Sequence, residues 1–196
     1  IIMANVDRPT GFTPVRYLDG SPYMGAASLY FSDSDNLFMG DLVVQDTAGT
    51  QYTKSNGVYG TVNRASGAGD LIVGVVVGWY PDPDSLGRLH HAASTSIPLL
   101  VAHIDNLVLE VQSDDATMVQ GDVGFNVDAT FTAGTTATGA SGMEIDGDTA
   151  ATTAGLQFRI LQMVDRADGD NSDSVANQRF LVKCNQSAWA DQIVGV

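Results

Sequence analysis

Apolar positions recur along this chain mostly in short runs or in alternation with polar ones. The strongest stretch is Asp70–Tyr80, DLIVGVVVGWY, where Leu71, Ile72 and Val73 stand before Gly74 and Val75, Val76 and Val77 after it. β-Branched side chains are stiff at χ1 and suit a pleated strand better than a helix. With no polar alternation, the strand is expected to be covered on both faces. Gly74 and Gly78 mark a bulge or tight bend, and Pro81 ends the run at the turn PDPD. The pattern predicts a central strand with the other apolar segments packed around it.

Those segments are short. Residues 27–31 read as a strand and 32–36 as a turn. LFMGDLVVQD (37–46) reads as a strand pair kinked at Gly40–Asp41, and 58–65 as a half-exposed strand. Residues 96–112 read as two strands, 97–103 and 107–112, joined by a turn at Asp105–Asn106. In the second, Leu107, Leu109 and Val111 take the buried face, leaving Val108, Glu110 and Gln112 on the other. Residues 118–131 supply two more strands, and 155–165 and 179–185 are the last clear ones. SLGRLHHA (85–92) has room for one helical turn, since Gly87 discourages more. Residues 132–154, TAGTTATGASGMEIDGDTAATTA, are small and polar and read as a long loop or flap pinned by Met143 and Ile145. The sum is an all-β fold, a barrel or sandwich of about ten short strands, with one β-domain over 26–196.

Residues 1–25 break the pattern. From Ala4 to Gly25 there is no period, and Pro9, Pro14 and Pro22 push their predecessors toward extended geometry. The segment reads as an extended N-terminal arm, wrapped on its own domain or laid across another subunit. Arg8, Pro9, Phe12, Pro14, Arg16, Tyr17 and Tyr23 are its candidate contact residues, because arginine and aromatic side chains are enriched at interface centres.

Composition narrows the function. Charged residues are 16% of the 196, against about 25% in a typical soluble domain. The net charge of −14 sets the chain against nucleic-acid phosphates, so no nucleic-acid partner is expected. No apolar run reaches the roughly 18 residues of a membrane span, and no signal peptide is visible, so a soluble protein made in a cytoplasm is expected, with Met3 as its start. The single cysteine, Cys184, permits no intrachain disulfide and reads as a small buried hydrophobe.

Catalytic and metal signatures are weak. His90 and His91 are adjacent and would point to opposite faces of a strand, and with His103 they read as structural. Asp168, Asp170, Asn171 and Asp173 have part of the spacing of a calcium loop. That run lacks the glycine at its sixth position and has Arg179 where the twelfth calls for Glu. It reads as an acidic turn, as does the shorter Asp33–Asp35 run. There is no nucleophile elbow, no Walker A and no dinucleotide fingerprint. No cofactor, no metal and no enzymatic activity are expected.

The segments ANVDRPTGFTPVRYLDGSPY, FMGDLVV, LIVGVVVGWYPDPD, HHAAST with PLLVAHIDNLVLEVQ, VGFNVD, LQFRILQMVDRAD and RFLVKCN together resemble a family of structural proteins encoded among the head genes of tailed bacteriophages. The resemblance covers most of the chain and implies capsid decoration, or cement, on the outer surface of an HK97-type shell. The implied partners are the phage major capsid protein and other copies of the chain, with a trimer favoured by the symmetry of shells. The alternative is another virion component, such as a head fibre base or a host-glycan-binding β-sandwich module.

Overall fold

The computed structural model describes residues 5–32, 34–47, 52–54, 57–114, 117–166 and 175–190. The chain is all-β, and among these residues the single helical element is a 3-10 turn, Gln120–Asp122. Thirteen strands follow in order: β1 Thr13–Tyr17, β2 Ser28–Tyr30, β3 Leu42–Gln45, β4 Tyr52–Lys54, β5 Gly57–Tyr59, β6 Val62–Arg64, β7 Ile72–Trp79, β8 Leu99–His103, β9 Leu107–Gln112, β10 Asn126–Thr130, β11 Glu144–Ala151, β12 Phe158–Met163 and β13 Arg179–Cys184. Two antiparallel sheets form a sandwich. One runs β1-β9-β13-β12-β10-β11, the other β2-β8-β7-β3-β6, and β4-β5 is a separate hairpin.

Strand β7 is the middle of the five-stranded sheet, and both its faces are covered as its sequence predicts. Ile72 and Val75 join the main core between the sheets. Val73 and Val76 join a second cluster with Tyr30, Leu37, Val43, Val62, Leu99 and Val101. That cluster exists because the five-stranded sheet curls. The Phe31 N–H donates to the Gly60 carbonyl at 3.1 Å and the Val62 N–H to the Phe31 carbonyl at 2.8 Å, tying the end of β2 to the start of β6. Gly74 lets the curl tighten, because a Cβ there would overlap the Ala102 carbonyl. The register slips beside it, between Val43 and Val44 of β3, and again between Val76 and Gly78 against β8.

The six-stranded sheet supplies most of the main core. Leu107, Leu109 and Val111 alternate inward from β9, Phe158 and Ile160 from β12, Phe180 and Val182 from β13, and Val127 and Ala129 from β10. Strands β8 and β9 flank the turn at Asp105–Asn106 but belong to different sheets, so this connection crosses the sandwich.

Six local expectations are corrected. Residues 37–46 hold one strand, β3, with single bridges at Leu37 and Met39, and residues 58–65 divide between β5 and β6, which lie in different sheets. Residues 132–154 are not one loop. Glu144–Ala151 is β11, paired with β10, because Met143 and Ile145 are fully buried and draw the segment onto the core. Within 118–131 there is one strand, preceded by a single bridge at Met118 and the 3-10 turn. Residues 85–92 form turns with no helical turn. The second face of β9 is not open: Val108 is fully buried and Gln112 nearly so. The reason is the N-terminal segment, which lies along that strand.

Candidate functional site

Residues 5–25 are the described part of the stretch from which contacts are expected, and the structure attaches their first half to the sandwich. Phe12 is fully buried and stacks on Phe158, with ring centroids 4.8 Å apart. Its N–H donates to the Gly40 carbonyl at 2.9 Å. The chains cross closely here, and both crossing residues are glycines with left-handed backbones, φ +69° at Gly11 and +91° at Gly40. A Cβ on Gly40 would overlap the Thr10 carbonyl oxygen. Beyond the crossing, Thr13–Tyr17 pairs antiparallel with β9 as the edge strand β1. Of the two readings of this segment, the structure shows it wrapped on its own domain, as an integral edge strand.

Gln112, at the end of β9, holds the residues before the crossing. Its Nε2 donates to the Val6 carbonyl at 2.8 Å, and its Oε1 accepts the Arg8 N–H at 3.3 Å. Sequence reasoning missed this residue. A glutamine on the polar side of an alternating strand gives no sign that a backbone segment will lie across it. The free side of β1 is covered by a local hairpin. The Tyr17 N–H donates to the Ser21 carbonyl at 2.8 Å and the Tyr23 N–H to the Val15 carbonyl at 3.2 Å. Pro14 adds no donor to the edge, so little of it is open to another strand.

The seven candidate residues therefore separate. Phe12 is a core anchor and reaches no surface. Tyr17 and Tyr23 are half-buried, pack on the main core and stand 6.1 Å apart, and the Tyr23 hydroxyl donates to the Ala26 carbonyl at 2.9 Å. Burial, and then the neighbouring Tyr17, raises the Tyr23 pKa. Pro9 is half-buried, and half-buried Pro14 lines a groove of about 330 Å³ with Thr10, Phe12, Met39, Val77 and Ala140. Arg8 is exposed and Arg16 half-buried on the outer face of β1.

Among the exposed side chains of this region are four large apolar ones. Val6, Val15, Leu18 and Met24 are four of the ten large apolar side chains exposed among the described residues, and Met24 is 84% exposed. Leu29 and Met39 are exposed as well. Apolar surface concentrated on a segment pinned from beneath is a feature of binding faces.

The three histidines and the cysteine are packed into the fold. His91 is buried, with its Nε2 2.9 Å from the Ile97 carbonyl, and burial lowers its pKa. His90 stacks on Phe38 and His103 on Trp189. His90 and His91 line a cavity of about 210 Å³ with Trp79, Leu86 and the Arg88–Asp82 ion pair, whose charged atoms are 2.9 Å apart. Burial pushes the Cys184 thiol up to about 12, keeping it protonated. Among the described residues no three His, Cys, Asp or Glu side chains come together as a metal site needs, and no helix is long and apolar enough to cross a membrane. Asp33 and the Asp168–Asp173 run lie outside the described residues. Comparison of the chain with protein-family models, with curated proteins and with solved structures returned no match.

Proposed function

We propose that the chain is a virion structural protein of a tailed bacteriophage, a decoration protein that binds the outside of an HK97-type shell and stabilises it by bridging capsid subunits. The observation that carries the reading is the N-terminal surface. Phe12 and Gln112 fix the segment from below, while Val6, Val15, Leu18 and Met24 stand exposed on it. A surface ordered before binding loses little entropy when it docks, which favours a tight and permanent contact. The sequence resemblance to phage head proteins points the same way, and the mixed apolar and arginine character suits a shell contact. On this reading the partners are the major capsid protein and further copies of the chain, and the bridge is a docked face in place of a loose arm.

The test is co-sedimentation with empty shells assembled from the major capsid protein of the same phage. Val15→Asp combined with Met24→Asp is expected to abolish co-sedimentation while leaving the melting temperature within a few degrees of the parent. Undiminished binding by that variant would remove the N-terminal surface from the contact. Failure of the unaltered chain to bind any shell would overturn the decoration reading itself.

A further inference from the structure

The outer face of the six-stranded sheet carries charges that the fold does not neutralise. Cross-strand register sets Arg16 of β1 opposite Val108 of β9, Val108 opposite Lys183 of β13, and Lys183 opposite Arg159 of β12. Directly opposed residues share a face, so three cations form one row across four strands. Their sequence neighbours Tyr17, Leu107, Leu109, Val182, Cys184, Phe158 and Ile160 belong to the core, which places the row outside. Val108 is fully buried between Arg16 and Lys183, as expected where long aliphatic stems cover a small side chain and lift their charged heads to water.

Lys183 and Arg159 are like charges directly opposite one another, which weakens a strand pair. None of the three cations makes an ion pair among the described residues, although Arg159 Nε donates to Asn126 Oδ1 at 3.1 Å. Glu110 of β9, on this face, is taken by Arg166 at 2.9 Å and Arg179 at 3.5 Å. The chain has nine lysines and arginines, and the five named here are on or beside one sheet face.

The other end of the same sheet has the opposite sign. Asp128 of β10 and Asp146 of β11 are directly opposed. Asp114 joins them by accepting the Gly147 N–H at 3.2 Å, and Asp148 follows on β11. Burial first, and then Asp114, Asp148 and Asp128, hold the Asp146 carboxyl above its ordinary range.

We propose that these two surfaces meet between copies of the chain, the Arg16–Lys183–Arg159 row of one protomer docking on the Asp128–Asp146 end of the sheet of the next. Each contact relieves a like-charge repulsion on both sides. Both patches lie on one face of one sheet, so a two-fold pair satisfies both contacts at once, the row of each protomer on the acidic end of the other. The net charge of −14 opposes association at long range. At physiological ionic strength the screening length is about 8 Å, which mutes that repulsion and leaves contact pairs acting. The inference deepens the self-association part of the decoration reading, and it is tested without a shell, so either can fail alone.

The experiment is sedimentation velocity of the full chain at physiological ionic strength over a wide concentration range, with a thermal melt of every variant. The unaltered chain is expected to form one discrete oligomer. Arg159→Glu with Lys183→Glu, and separately Asp146→Lys with Asp148→Lys, are each expected to sediment as monomers at the same concentration. An equimolar mixture of the two is expected to associate again. Arg159→Gln with Lys183→Gln, the milder pair, is expected to weaken association at least tenfold. A parent chain that stays monomeric, an oligomer that survives both reversals, or a mixture that fails to reassociate would each overturn the proposal.

Discussion

Strand β7 and the Gly11–Tyr17 stretch contribute to the same core and are bridged by hydrogen bonds through Gly40. The Gly40 N–H donates to the Val76 carbonyl of β7, and the Gly40 carbonyl accepts the Phe12 N–H, both at 2.9 Å. Their sequences could hardly differ more. Strand β7 buries five consecutive residues, Ile72–Val76, and is held by neighbours on both edges and both faces. The N-terminal stretch buries Gly11 and Phe12 and leaves Thr13 and Val15 exposed. One is fixed by a continuous apolar run. The other is fixed by a single aromatic anchor, two glycines that allow a close crossing, and Gln112. Such a segment is ordered on its inner side and free to display a binding surface on its outer side, which β7 cannot do.

If that comparison is right, substitutions should rank by how many faces they disturb. Val76→Asp places a charge in the closed second cluster with no partner, and no folded protein is expected. Expression followed by circular dichroism checks it. Phe12→Ala removes the anchor and its stacking on Phe158, and is expected to cost about 3–5 kcal/mol in denaturant unfolding. A free arm would tolerate that change, so a small effect would break the comparison.

The junction itself reports through Asp41, next to Gly40. Its carboxyl is fully buried and pushed up to about 6 by burial, against the pull of the Ser141 hydroxyl, the Phe38 N–H and the Arg64 guanidinium. The folded state then binds this proton more tightly than the unfolded state does. The contribution of Asp41 to stability should therefore rise as pH falls from about 6 toward about 4, by on the order of 2–3 kcal/mol, and be lost again as pH rises. Asp41→Asn is expected to remove that slope, read as the difference between variant and parent melts across this range. At the far end of the ranking, Met24→Ser on the exposed outer side should change stability by no more than about 0.5 kcal/mol.

The same contrast explains what the sequence made legible. Strand β7, its position in the middle of a sheet, its two covered faces and its bulge at Gly74 follow from β-branched residues in an unbroken run, a signal local to the stretch. Strands β9, β12 and β13 were readable for the same reason. Strand β1 is not, because TPVRY has no period and its place depends on pairing with β9 and on Phe12 meeting Gly40 and Phe158, all distant in sequence. Strand β11 is hidden by its small residues, although Met143 and Ile145 stand out among them as pins. Arg8, Arg16, Tyr17 and Tyr23 drew notice by residue type alone. The basic row containing Arg16 could not be seen until register placed Lys183 and Arg159 beside it.

The most direct test of the account is native-state hydrogen exchange of the full-length chain, comparing the amides of Phe12 and Tyr17 with those of Val75 and Val76. Both N-terminal amides are hydrogen-bonded, Phe12 to Gly40 and Tyr17 to Ser21. If Phe12 locks its segment into the sandwich, the Phe12 amide should exchange only with global unfolding, at the rate of β7, while Tyr17 in the outer hairpin exchanges faster. Rapid exchange at Phe12, with β7 fully protected, would contradict the account and restore a free arm.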